Sequence, residues 1–130
     1  LRFLVVDDNE INLMLAESIL GGSFNKAVIF TATSGKACLE LLKEETFDII
    51  FMDVQMPEMD GYEATKLIKA SEKYAKNKIP IIAVSASAFD EDIQNAKKAG
   101  IDDFLAKPIE SDKLKELLIK YAPKYKSATS

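Results

Sequence analysis

Five side chains capable of chemistry stand where apolar runs stop. Asp7-Asp8 follow Leu1-Arg2-Phe3-Leu4-Val5-Val6, and Asp53 follows Phe47-Asp48-Ile49-Ile50-Phe51-Met52. Ser85 closes the run that opens at Ile81, and Lys107 follows the short run Asp103 to Ala106. Taken singly, each has a bland reading. Asp7-Asp8 can cap a helix, Asp53 can open a turn, Ser85 says little, and Lys107-Pro108 can be an ordinary loop break. Their shared position at the ends of the first, third, fourth and fifth apolar runs favours a common site. Acids brought close together repel one another unless a positive charge sits among them. Oxygen donors without His or Cys suit Mg²⁺, with Mn²⁺ or Ca²⁺ as substitutes. With Lys107 as a second positive charge and Ser85 as a hydroxyl, such a pocket suits a phosphoryl group. A carboxylate is then the available nucleophile, through an acyl phosphate. Asp53 is the central candidate, because the run before it is the most apolar and is expected at the middle of a sheet.

Composition removes other chemistry. The chain of 130 residues has no histidine and no tryptophan, so triads, His-ligated zinc and imidazole acid–base steps are excluded. The single cysteine, Cys38, can form no internal disulfide and lies in a helical pattern beside Leu39, where it is expected to pack. Met52, Met56 and Met59 are likewise expected to pack or anchor a loop. The net charge is −4, with no basic stripe to meet nucleic acid directly. With a single cysteine, a reducing cytoplasm is the expected compartment, and no apolar run is long enough to cross a bilayer, so no membrane contact by this domain is expected. A chain that opens inside a strand at Leu1, without Met, is expected to come from something longer.

The elements that must position these residues alternate. Strands are expected at 1–6, 27–31, 47–52, 81–85 and 103–106. Helix spacing runs from Glu10 to Leu20 through Ile11, Met14, Leu15, Ser18 and Ile19, with Gly21-Gly22 expected to stop it. Ser34 is expected to cap a second helix running to about Glu45. Asp60-Gly61-Tyr62-Glu63 resembles a capping box for a third, reaching about Glu72. Asp90 is expected to cap a fourth that Gly100 ends, and Leu114, Leu117, Leu118 and Tyr121 mark the fifth. Five strand–helix units argue for a parallel sheet covered on both faces, with all strand C-termini on one edge. Ligands bind such sheets at that edge, where the winding reverses.

Over residues 1–122 the chain resembles the receiver domains of two-component signalling. The motifs are Val5-Val6-Asp7-Asp8-Asn9, Met52-Asp53-Val54-Gln55-Met56-Pro57-Glu58-Met59-Asp60-Gly61, Val84-Ser85-Ala86 and Phe104-Leu105-Ala106-Lys107-Pro108. The resemblance implies a flavodoxin-like, doubly wound α/β fold: a five-stranded parallel sheet of order 2-1-3-4-5 with five helices, then a flexible tail at 123–130. It implies Asp53 as phosphoacceptor, Asp8 as direct Mg²⁺ ligand, and Asp7 as a ligand through water. The Gln55 carbonyl matches the third protein ligand, and Lys107, Ser85 and the Ala86 N–H match the groups that hold the phosphoryl oxygens. Ser85 and Phe104 match the switch pair, with Phe104 in place of the common tyrosine and Ser85 in place of the common threonine. Gln55 and Ser87 flank the site and are expected to tune hydrolysis.

The implied donor is a histidine kinase or a histidine phosphotransfer domain, since the chain carries no histidine of its own. The implied output, and a possible homodimer contact, is the face of helix four, strand five and helix five. Asn9, Asn12 and the run from Met52 to Thr65 look most like receivers of hybrid sensor histidine kinases, whose parent chain can be membrane-anchored. Stand-alone and DNA-binding response regulators stay open as parents. An aspartate-nucleophile phosphatase stays open as another enzyme class, although Gln55 stands where its second acid is normally found. An FMN-binding flavodoxin is disfavoured by acids where its phosphate loop should be, a P-loop NTPase by the missing Gly-rich Lys-Ser/Thr loop, and a degenerate receiver by the full set of acids and lysine.

Overall fold

The computed structural model describes residues 2–23, 28–54, 61–71, 79–85, 90–106 and 110–121. Five strands, β1 (Arg2–Val6), β2 (Val28–Ala32), β3 (Ile49–Asp53), β4 (Ile81–Ser85) and β5 (Asp103–Ala106), form one parallel sheet of order β2-β1-β3-β4-β5. Among the described residues five helices follow them: α1 (Glu10–Ser23), α2 (Gly35–Glu44), α3 (Gly61–Lys69), α4 (Asp90–Ala99) and α5 (Ser111–Tyr121). This is the strand order that the resemblance implies, in the parallel sheet that the strand–helix alternation predicts. β1, β3 and β4 are the inner strands and are buried almost throughout, as their continuous apolar runs require. β2 and β5 are the edges and stay partly exposed.

Strand alternation divides the core into two layers. Leu4 and Val6, Ile50 and Met52, and Ile81 and Ala83 join Cys38, Leu42, Ala64, Ile68 and Ala96 under α2, α3 and α4. Phe3 and Val5, Ile49 and Phe51, and Ile82 and Val84 join Leu13, Ala16, Leu114 and Leu118 under α1 and α5. Cys38 is fully buried in the first layer, and burial pushes its thiol up to about 12, so it packs and does no chemistry.

Local signals set the helix ends. The Asn9 Oδ1 accepts from the Ile11 N–H at 2.9 Å, capping α1, and the Ser34 hydroxyl accepts from the Ala37 N–H at 3.1 Å, capping α2. Gly100, at φ +92°, ends α4 with two returning bonds, Ile101 N–H to the Ala96 carbonyl and Gly100 N–H to that of Lys97, each 3.0 Å. Several boundaries differ from expectation. α1 continues through Gly21-Gly22 to Ser23, because glycine lowers helix stability by only about 1 kcal/mol. β3 starts two residues later than its apolar run and takes in Asp53, while α3 stops at Lys69. Asp90 is itself the first residue of α4. The expected cap residue Asp60 and the tail at 123–130 lie outside the described residues.

At the sheet edge away from Asp53, Arg2 is held on several sides. Its N–H donates to the Asp48 Oδ2 at 2.7 Å, its Nε to the Thr46 carbonyl at 2.8 Å, and its carbonyl accepts from the Asp48 N–H at 2.8 Å. The guanidinium pairs with Glu45 and lies 5.0 Å from the centre of the Phe30 ring.

Candidate functional site

The chain winds outward from β1 to β2, then crosses back to β3 on the other side of β1. That reversal opens a crevice beyond the C-terminal ends of β1 and β3. Asp7 and Asp8 follow β1 directly, and Asp53 is the last residue of β3. One carboxylate oxygen from each of Asp7, Asp8 and Asp53 lies within 4.8 Å of the others. The acids differ in setting: Asp7 and Asp53 are only 4% and 3% exposed, whereas Asp8 faces solvent. Asp8 therefore marks the mouth of the crevice and Asp53 its floor.

Backbone bonds hold the acids in place. The Asp7 N–H donates to the Ala32 carbonyl at 3.0 Å, and the Asp7 Oδ1 accepts from the Asn9 N–H at 2.9 Å. Beyond Asp53, the Val54 N–H donates to the Val84 carbonyl and the Gly61 N–H to the Val54 carbonyl, each at 3.3 Å. Gly61 is thereby held against the end of β3. A Cβ on Gly61 would stand 2.3 Å from the Asp53 carbonyl oxygen and 2.7 Å from the Val54 Cα. Both are backbone atoms, which no rotamer change can move aside. The buried Thr65 hydroxyl donates to the Gly61 carbonyl at 2.7 Å and fixes the first turn of α3. Neither Gly61 nor Thr65 stands out in the sequence as a positioning residue. The signal for Gly61 was a glycine inside a capping pattern.

Ser85 is 1% exposed at the end of β4, beside β3, where Asp53 pairs in register with Val84. Phe104, half-buried on β5 beside Ala83, packs against the α2–α4 layer. Ala106 pairs with Ser85 and closes β5 at the same edge. Lys107 comes next in the chain, but it lies outside the described residues, as do Gln55, Ala86 and Ser87. Farther along β5, the Asp103 Oδ2 accepts from the Tyr121 hydroxyl at 3.0 Å and pairs with Lys120 at 3.6 Å, tying the end of α5 to β5. Burial first, and then Asp103, push the Tyr121 phenol above its ordinary value.

The donor set fits a hard divalent cation. It offers three carboxylates and no nitrogen or sulfur, and two of the acids are buried, where uncompensated negative charge is costly. A Mg²⁺ ion at this cluster would meet oxygen ligands from all three acids.

Residues 3–119 match the response regulator receiver domain family. The chain belongs to that family. This receiver domain is 36% identical over 121 residues to the sensor protein GacS of Pseudomonas syringae pv. syringae, covering 92% of this chain and 13% of GacS. It therefore corresponds to a small part of that longer protein. The receiver domain of sensor histidine kinase PA1611 from Pseudomonas aeruginosa PAO1, solved with magnesium coordinated in its active-site cleft, aligns with a TM-score of 0.82 at 32% identity, over 92% of this chain and 95% of that one. The co-crystal structure of the Saccharomyces cerevisiae histidine phosphotransfer signaling protein Ypd1 with the receiver domain of the response regulator Ssk1 gives a TM-score of 0.81 at 28% identity, over 93% of this chain and 88% of that one.

Proposed function

We propose that this receiver domain takes a phosphoryl group from a partner phosphohistidine onto Asp53, within a phosphorelay. The observation that carries the reading is the buried Asp53 carboxylate at the floor of the crevice, clustered with Asp7 and Asp8. Asp8, Asp53 and the Gln55 carbonyl would hold the cation directly, and Asp7 through water. Bound there, Mg²⁺ (or Mn²⁺ or Ca²⁺) offsets the negative charge that would otherwise repel an anionic donor.

The residues of this chain do the rest. An Asp53 carboxylate oxygen attacks phosphorus in line, the P–N bond to the donor imidazole breaks, and its electron pair stays on that nitrogen, which then takes a proton. Lys107, the Ser85 hydroxyl and the Ala86 N–H receive the phosphoryl oxygens, which bring close to two negative charges. As Ser85 turns toward them, the Phe104 ring moves into the space beside β4. The α4–β5–α5 face repacks as output, including any self-association. Water later hydrolyses the acyl phosphate, at a rate tuned by Gln55 and Ser87. Similarity to GacS and to the PA1611 receiver supports a parent of the hybrid sensor histidine kinase type, with residues 1–122 as its receiver.

The test is Asp53→Asn. Incubated with phosphoramidate and Mg²⁺, the unaltered chain is expected to gain one hydroxylamine-labile phosphoryl group and the variant none. Equal labelling of both would overturn the assignment.

A further inference from the structure

Thr65 places a hydroxyl in an otherwise apolar part of α3. It is fully buried, and so are Ala64 before it and Ile68 one turn on, both members of the core under α3. A valine of the same shape would fill this space with no polar group to satisfy. The hydroxyl donates to the Gly61 carbonyl at 2.7 Å. In an α-helix that carbonyl also accepts from the N–H four residues on, so Thr65 reaches it through backbone and side chain together. A back-bond of this kind adds little to a helix and often bends it. Its use must be sought in what Gly61 touches.

Gly61 is where α3 meets the main chain of Asp53. Its N–H donates to the Val54 carbonyl at 3.3 Å, and its Cα faces the Asp53 carbonyl so closely that a Cβ would stand 2.3 Å from the oxygen and 3.0 Å from the carbon. From the other side the Val54 N–H donates to the Val84 carbonyl, also at 3.3 Å. Both backbone bonds are long for N–H···O pairs, which centre near about 2.9–3.0 Å. The bond from Thr65 is the short one of the set. The end of β3 therefore stands where Gly61 holds it, and Gly61 stands where Thr65 holds it. Asp7 has separate supports, the Ala32 carbonyl and the Asn9 N–H. A shift of Gly61 would move Asp53 against Asp7 rather than carry the two together.

We infer that Thr65 is a positioning residue for phosphoryl transfer: its hydroxyl fixes the Gly61 peptide, and that peptide fixes the Asp53 carboxylate relative to Asp7 and Asp8. This rests on the function proposed above. Asp53 has to meet a cation and an incoming phosphorus atom at once, and a misplacement of about 1 Å can cost on the order of a hundredfold in rate. Thr65 acts through Gly61 and not on the reacting atoms.

The test compares the unaltered chain with T65V, which keeps the shape and removes the hydroxyl, and T65S, which keeps the hydroxyl and removes a buried methyl. Each is labelled with phosphoramidate and Mg²⁺, and each is unfolded in urea. T65V is expected to label about tenfold more slowly, as for a shift of a few tenths of an ångström, and T65S to stay within about twofold of the unaltered chain. Stability should run the other way, with T65S the weaker fold because it leaves a cavity. A purely structural role for Thr65 cannot give that crossed order, since rate would then follow stability. A loss below about threefold in T65V, or an equal loss in T65S, overturns the inference. Should T65V fail to fold by circular dichroism, T65A removes the same hydroxyl and is judged against T65S by the same rates. Failure of the unaltered chain to label at all would remove the proposed function itself, and this inference with it.

Discussion

Asp53 is held by its neighbour's lack of a side chain as much as by its own bonds. Gly61 packs on the Asp53 carbonyl so closely that even a methyl group would collide with backbone. Gly61→Ala must therefore shift either the end of β3 or the start of α3. The expected cost is about 2 kcal/mol or more, in the range of overpacked sites. Urea unfolding would measure it, and phosphoramidate labelling of Asp53 should slow in parallel; a variant with unchanged stability would contradict the close packing. The acids themselves were legible from sequence, because each follows an apolar run that had to be a buried strand. Their unequal burial was not, since Asp7 and Asp8 are adjacent and identical in type. Gly61 was illegible as a support for a different reason. Its contact with Asp53 is a tertiary one, made against the end of β3, and no local pattern encodes it.

Elements were legible where one strong signal stood alone. Ser34 before an amphipathic run gave the start of α2, and the structure has its hydroxyl on the Ala37 N–H. Ser34→Ala is expected to lower stability by about 1 kcal/mol, read as a shift of the urea midpoint without change in slope. An unmoved midpoint would mean that solvent caps the helix equally well. Gly100 gave the end of α4 for a comparable reason, as few residues other than glycine adopt positive φ there at low cost. α1 shows the limit of periodicity. Its spacing identified a helix correctly, yet the stripe of Ile11, Met14 and Leu15 faces solvent and the narrower pair Leu13 and Ala16 faces the core. Hydrophobic spacing reports that a helix has an apolar face, but not whether the chain's own core or another molecule covers it.

For the molecule as a whole, topology decides where charge collects. An order of β2-β1-β3-β4-β5 makes the ends of β1 and β3 neighbours at the winding reversal, so acids far apart in sequence meet in one crevice. Mg²⁺ binding to the folded chain alone should then raise its stability, by about 2.7 kcal/mol at a concentration about a hundred times Kd. Thermal unfolding with and without Mg²⁺ measures this, and Asp8→Ala should lose most of the gain; a midpoint indifferent to Mg²⁺ would sink the metal assignment. The opposite rim has a mechanical consequence. Arg2 pairs with Val28 on one side and bonds Asp48 and Thr46 on the other, with its guanidinium over Phe30. Tension applied at that end of β1 would have to shear several lateral bonds together before any displacement reached Asp7. The chemistry at the far end is thereby insulated from a pull applied at Arg2.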